Sequence, residues 1–231
     1  GSAAIMTDMA DGTRPIITLD GPAASGKSSA AAAVAARLGI AYVSSGLLYR
    51  AATLMALNEG VPLSDEDALL AMLSRHDVRL RPDAHRDSVT VDGVEVAHLL
   101  HTDRIDANVS EVARLPGVRA WVTERLRELE GPFVIDGRDM GTAVFPDARW
   151  KFYLTASPEV RAKRRVGERA SDLAAVAEAI RLRDERDARQ SAPAPDAIHL
   201  DTGPLSLEAV VDFVYAKVRS RWPGELSAVT A

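Results

Sequence analysis

The sequence has 231 residues, 47% of them hydrophobic, and a formal net charge of −5 at pH 7. That length supplies the core of one globular unit with inserted subdomains, and the acidic balance gives no general basic field for nucleic acid. With no cysteine, disulfide frameworks and thiolate metal sites are excluded, and no apolar run approaches the ~20 residues of a membrane span. Neither a nucleic-acid nor a membrane partner is expected, and a cysteine-free chain fits a reducing compartment, so the expected location is cytoplasmic.

Residues 1–5, ahead of Met6, read as a cloning remnant, and the tail 1–12 is expected to be disordered. Residues 16–20 are apolar and β-branched, the pattern of a buried central strand. Gly21-Pro22-Ala23-Ala24-Ser25-Gly26-Lys27-Ser28 follows, then Ser29 and an Ala-rich run to Leu38. Strand, glycine loop and helix in that order are the context a phosphate-binding loop needs. Successive backbone N–H groups can turn toward phosphate oxygens at a helix N-terminus. Lys27 would reach the outer phosphates and Ser28 would offer its hydroxyl to Mg²⁺. By itself the loop indicates a nucleoside triphosphate and leaves its fate open.

Gly39 ends the first helix, residues 40–43 form a second strand, and residues 47–58 form a second helix. Ser64, with Asp67 three residues on, predicts the cap of a helix running to Arg75. The period then changes to alternation at 77–81 and 88–91, with Asp92-Gly93 as the hairpin turn before 94–96. Helices are expected at 106–114 and 118–130, strands at 133–136 and 151–154, and a helix start at Ser157-Pro158-Glu159. The arginine-dense helical run to Gln190 is broken near 167–172, and 192–195 is a Pro/Ala linker. A strand at 198–200 and a helix at 205–219 close the pattern. Five parallel-type strands separated by helices predict a doubly wound α/β sheet. Such sheets bind ligands at the carboxyl ends of their strands, where residues 21–28, 44–46 and 136–141 all fall. Arg161, Arg164 and Arg165 share a helical face. The five histidines are scattered without ligand spacing, and Trp121 and Trp150 read as packing residues.

Ser45-Gly46 with Tyr49-Arg50, then Asp136-Gly137-Arg138-Asp139-Met140-Gly141-Thr142 with Phe145-Pro146-Asp147-Ala148, resemble bacterial cytidylate kinases. The resemblance spans about residues 15–219 and includes the small β insertion. It implies a P-loop kinase fold: a five-stranded parallel sheet wrapped by helices, a mobile lid, and a CMP-binding region carrying the antiparallel insertion. One domain over 13–225 is implied, with core 13–44, 131–160 and 190–225, a CMP-binding region at about 45–130 and a lid at about 161–189. The implied reaction is ATP with CMP or dCMP giving ADP with CDP or dCDP, with Mg²⁺ as cofactor. Residues 21–29 would hold ATP, and Asp136 would hold Mg²⁺ through water, beside Ser28. Ser45, Tyr49, Arg50, Ser110, Arg119, Arg138, Asp139, Arg183, Asp187 and Arg189 would serve CMP. Lys27, Arg138, Arg161 and Arg165 would stabilise the transferring phosphoryl group. The chain departs from the family pattern at Ser44, where an acid is usual, and at Arg189, which stands one residue early and is taken as the substitute for a displaced arginine. Nothing argues for an obligate oligomer, so a monomer is expected. A kinase for another small acceptor and a slowly hydrolysing switch are the competing functions.

Overall fold

A computed structural model describes residues 14–82, 87–166, 173–188 and 192–220. The expected N-terminal tail, the break at 167–172 and Arg189 lie outside the described residues. The described chain has strands β1 (Arg14–Asp20), β2 (Ala41–Ser44), β3 (Val78–Arg81), β4 (Ser88–Val91), β5 (Val94–Glu95), β6 (Phe133–Gly137), β7 (Ala148–Thr155) and β8 (Ile198–Asp201). Its helices are α1 (Lys27–Leu38), α2 (Gly46–Glu59), α3 (Glu66–Ser74), α4 (Asp103–Ala113), α5 (Pro116–Arg127), α6 (Pro158–Val166), α7 (Leu173–Asp187) and α8 (Leu207–Arg219). Contacts divide it into two compact units: the chain up to Tyr42 with the chain from Gly131 onward, and Val43–Glu130.

The predicted parallel sheet is present, in the order β2-β6-β1-β7-β8. β1 lies at its centre, parallel to β6 on one side and β7 on the other, with Asp20 level with Gly137 and Tyr153. Residues 16–20 are buried on both faces, which is why the strand reads as a continuous apolar run rather than an alternation. The alanines of α1 allow it to lie close over the sheet. Ala30, Ala31, Val34 and Ala35 are fully buried with Val134, Phe152, Leu154 and the α8 residues Val210, Val214 and Val218. Trp150 belongs to the same cluster, so it is a packing residue, as expected.

The second unit holds α2–α5 and an antiparallel sheet in the order β3-β4-β5. Asp92 and Gly93 make its hairpin with φ of 51° and 82°, the pair of left-handed residues a two-residue hairpin requires. Two helix starts differ from expectation. Asp65, not Ser64, caps α3, accepting from the Ala68 N–H at 3.0 Å. α4 begins at Asp103 rather than 106, because the Thr102 hydroxyl accepts from the Ile105 N–H. Both follow the same rule: the capping oxygen must reach an amide two or three residues on.

His76 ties three elements of this unit together. Its Nδ1 lies 2.6 Å from Asp92 of the hairpin and its Nε2 2.7 Å from Glu59 at the end of α2. The hydrogen bond to Asp92 and, after it, the one to Glu59 raise the His76 imidazole above its usual 6.5. A group with a raised folded value stabilises the fold fully below its unfolded value, and that contribution is lost as pH rises through the folded one. His76→Gln should therefore lower the melting temperature clearly at pH 6 and much less at pH 9. Equal losses at both pH values would show that the imidazolium contributes nothing.

Candidate active site

The phosphate loop leaves β1 at Asp20 and enters α1 at Lys27. Gly26 sits at the helix N-cap with φ of 86°, a conformation that a side chain resists. Ala24 adopts φ of 58° without being glycine, the local strain that functional loops retain. No side chain caps the start of α1, which leaves its first N–H groups directed at whatever the loop encloses. The Ser25 hydroxyl is fully buried with no partner among the described residues. Lys27 Nζ donates to the Pro22 carbonyl at 3.0 Å, inside the loop.

The turn after β6 is fastened to this loop at two points. Asp136, buried at the end of β6, accepts from the Ser28 hydroxyl at 2.7 Å and from the Tyr42 hydroxyl at 2.7 Å. Met140 and Gly141 N–H groups donate to the two carboxylate oxygens of Asp20 at 2.9 and 2.8 Å. Arg138 and Asp139 lie between the fastenings, both half-buried. A π-helical turn, Met140–Val144, follows; such turns recur at functional sites. Burial pushes the Asp20 carboxyl up to about 6, against the two N–H groups that pull it down. Ionising Asp20 therefore costs the fold stability as pH rises between 3.8 and about 6. Ser28 and Asp136 are hard oxygen donors side by side at the mouth of the loop. That pair fits Mg²⁺, which takes one or two carboxylates plus substrate phosphates rather than an all-protein cage. No cluster of three or more His, Asp or Glu suited to a metal occurs among the described residues.

The three α6 arginines part company. Arg161, expected to act on the phosphoryl group, is buried. Its guanidinium donates to the Ala156 carbonyl, to the Ala23 carbonyl of the loop at 3.3 Å, and to both oxygens of Asp184 on α7. Through these bonds it ties α6 and α7 to the loop. Arg164 donates to the Ser25 carbonyl at 3.2 Å and to Thr202 through both its hydroxyl and its carbonyl. Together with Ser25, Gly26, Ser29, Leu205 and Val210 it lines a cleft of about 200 Å³ beside the loop. Arg165 is exposed. Arg183 and Asp187 fall within α7, but their side chains, like Arg189, lie outside the described residues.

In the second unit Ser45 is buried just ahead of α2, and Tyr49 and Arg50 lie one turn into it. Arg50 donates to the Leu100 carbonyl at 2.8 Å and to Asp106 at 2.6 Å. Arg119 lies over the Tyr49 ring, 5.8 Å from its centre, and donates to the Ala113 carbonyl. Ser110 is exposed on α4. The Ser44 backbone N–H donates to Asp87.

Asp20, Tyr42, Asp184 and Thr202 were not singled out by the sequence reading. Only Asp20 carried a signal, as a charge closing a largely apolar strand.

A lysine-bearing phosphate loop at the centre of a parallel sheet, fastened to an acidic turn on the neighbouring strand, places the chain among the P-loop phosphotransferases. The cytidylate kinase family profile matches residues 17–220. The cytidylate kinase of Thermus thermophilus is 58% identical over 206 residues, covering 89% of this chain and 99% of that protein. The Deinococcus radiodurans cytidylate kinase is 54% identical over 203 residues, covering 88% and 98%. The crystal structure of TT1252 from Thermus thermophilus shares the fold, with a TM-score of 0.50 at 19% identity, covering 92% of this chain and all of that one. The chain belongs to the cytidylate kinase family.

Proposed function

We propose that this protein transfers the γ-phosphoryl group of ATP to CMP or dCMP, giving ADP and CDP or dCDP. Family membership over residues 17–220 supports the activity. The observation that carries the site assignment is the double fastening of the Asp136–Gly141 turn to the phosphate loop, at Ser28–Asp136 and at Asp20–Met140/Gly141. In-line transfer requires a CMP phosphate oxygen to attack the γ-phosphorus as the bridging oxygen of ADP leaves. Little covalent help is needed; positioning and positive charge dominate.

Residues 21–29 hold the ATP phosphates through backbone N–H groups, and Lys27 neutralises the charge that builds between them. Arg138 positions the acceptor phosphate, and Arg165 adds charge from the lid formed by the arginine-rich α6–α7 segment. Arg161 holds that segment in place. Ser45, Tyr49, Arg50, Ser110 and Arg119 serve CMP, with Arg183, Asp187 and Arg189 completing the acceptor contacts. Ser28, and Asp136 through water, would hold Mg²⁺, which would supply charge neutralisation on the phosphate oxygens when bound. No helix among the described residues is long and apolar enough to cross a membrane. The cysteine-free sequence fits a reducing compartment, and action on small molecules in the cytoplasm, as a monomer, is part of this proposal.

Base choice tests the assignment of Asp139. Cytosine carries an amine donor where uracil carries a carbonyl, and an ionised carboxylate only accepts. Against uracil, the Asp139 carboxylate would face a carbonyl oxygen, acceptor against acceptor, an unmade bond worth ~1–3 kcal/mol. The native protein should prefer CMP to UMP in kcat/KM, and Asp139→Asn, whose amide can donate, should narrow the ratio by about one to two orders of magnitude. A ratio unmoved by the substitution would place base selection on other residues.

A further inference from the structure

Asp20 has no part in the chemistry described so far, yet it occupies the junction of β1 and the phosphate loop. Its backbone is level with Gly137, and the Gly21 N–H donates to the Gly137 carbonyl at 3.3 Å. Its side chain is buried, and each oxygen takes one of two consecutive amides, Met140 and Gly141. Gly141 has no room to move inward, since an added Cβ would stand 2.9 Å from the Thr18 hydroxyl and 3.1 Å from the Lys151 stem. The acceptor turn is thus clamped at its far end by Asp20 and at its near end by the Ser28–Asp136 bond.

We propose that Asp20 is a positioning residue for phosphoryl transfer: by gripping the Met140 and Gly141 amides, it keeps Arg138 and Asp139 in fixed register with the phosphate loop. It touches neither substrate and acts through the turn. The proposal rests on the assignment of that turn to CMP. Only the ionised carboxylate offers an acceptor to both amides; a protonated carboxyl turns one oxygen into a donor facing an N–H. The charged groups facing it are Lys27 from α1, which favours ionisation, and Asp139 from the turn, which opposes it. The Tyr153 hydroxyl on β7 is itself raised, by burial first and then by Asp20. Lys151, against Gly141, has its ammonium engaged by the Pro146 carbonyl and Asp196. With the carboxyl pushed up to about 6, the clamp is ionised at neutral pH and loosens in mild acid.

Two measurements test this. In the first, kcat/KM for CMP and KM for ATP are followed from pH 5 to 8.5 in the native protein and in Asp20→Asn. Substrate phosphates also titrate near pH 6, so the ratio of native to variant is read at each pH. At pH 8 the variant should lose about tenfold or more in kcat/KM for CMP, the scale of one lost charge-assisted bond, with KM for ATP changed less than about twofold. The ratio should shrink toward one below pH 6. A ratio flat across pH, or equal losses for both substrates, would overturn the proposal. In the second, amide resonances of the native, substrate-free protein are followed over the same range. Met140 and Gly141 should titrate together with a midpoint near 6, and pH-independent resonances would overturn the loosening in acid. Titrating amides beside a variant that matches the native protein on CMP would leave the contact without a positioning role and overturn the proposal. Native turnover of CMP checks the activity itself.

Discussion

Lys27→Ala should lower kcat with ATP and CMP by about 10²–10³-fold while leaving the fold intact. Removing one preorganised donor from a water-poor site typically costs that much. Lys27 is the first residue of α1, and its ammonium is held inside the loop by the Pro22 carbonyl. It is half-exposed and outside the hydrophobic cluster, so truncation removes charge without opening a cavity in the core. Alanine is also the best helix former at that position. Circular dichroism and the melting temperature should be close to native, and the loss should fall on kcat. Near-native kcat in a correctly folded variant would remove Lys27 from the transfer step.

Gly21→Ala should act in the opposite way, through the fold. A Cβ on Gly21 would stand 2.2 Å from the Leu154 carbonyl oxygen and 3.1 Å from the Ser25 hydroxyl. The first of these is backbone in the middle of the sheet and cannot swing aside as a side chain would. Either β7 shifts away from β1 or the loop lifts off the sheet. Overpacking of this kind costs about 3 kcal/mol, which corresponds to about 6–12 °C in melting temperature for a chain of this size. Activity should fall with it, because the same loop sets the N–H groups around the phosphates. Thermal unfolding followed by calorimetry checks the first effect and kcat the second. A variant that melts within 2 °C of native would show that the close approach at Gly21 is relieved by small shifts.

The loop and the turn were legible because each is written in consecutive residues. Residues 21–28 carry the phosphate loop between an apolar run and a helical one, and residues 136–142 carry a specific string at a strand end. Bonds between distant residues were not legible. Asp136 finds Ser28 108 positions away and Tyr42 94 away; Asp20 finds its two amides 120 and 121 positions away. Local spacing holds no record of such distances. The α6 arginines show the same limit. Helical offsets placed Arg161, Arg164 and Arg165 on one face, but which of them turns inward depends on Asp184 in α7 and Thr202 after β8. Strand edges were underestimated for a related reason. β7 begins at Ala148 rather than 151 because Arg14 and Ile17 of β1 pair with Ala148 and Trp150, and a partner strand extends pairing beyond what apolar content alone marks.

Acceptor specificity bears on all of this most directly. Purified protein with ATP and Mg²⁺ should be offered CMP, dCMP, UMP, AMP or no acceptor, with products identified by phosphorus NMR and ADP followed by a coupled assay. CMP and dCMP should each give one ADP per diphosphate formed, UMP and AMP should turn over far more slowly, and ADP should not accumulate without an acceptor. Equal use of UMP or AMP, or steady ADP release with no acceptor present, would contradict the assignment of this site to cytidylate phosphorylation.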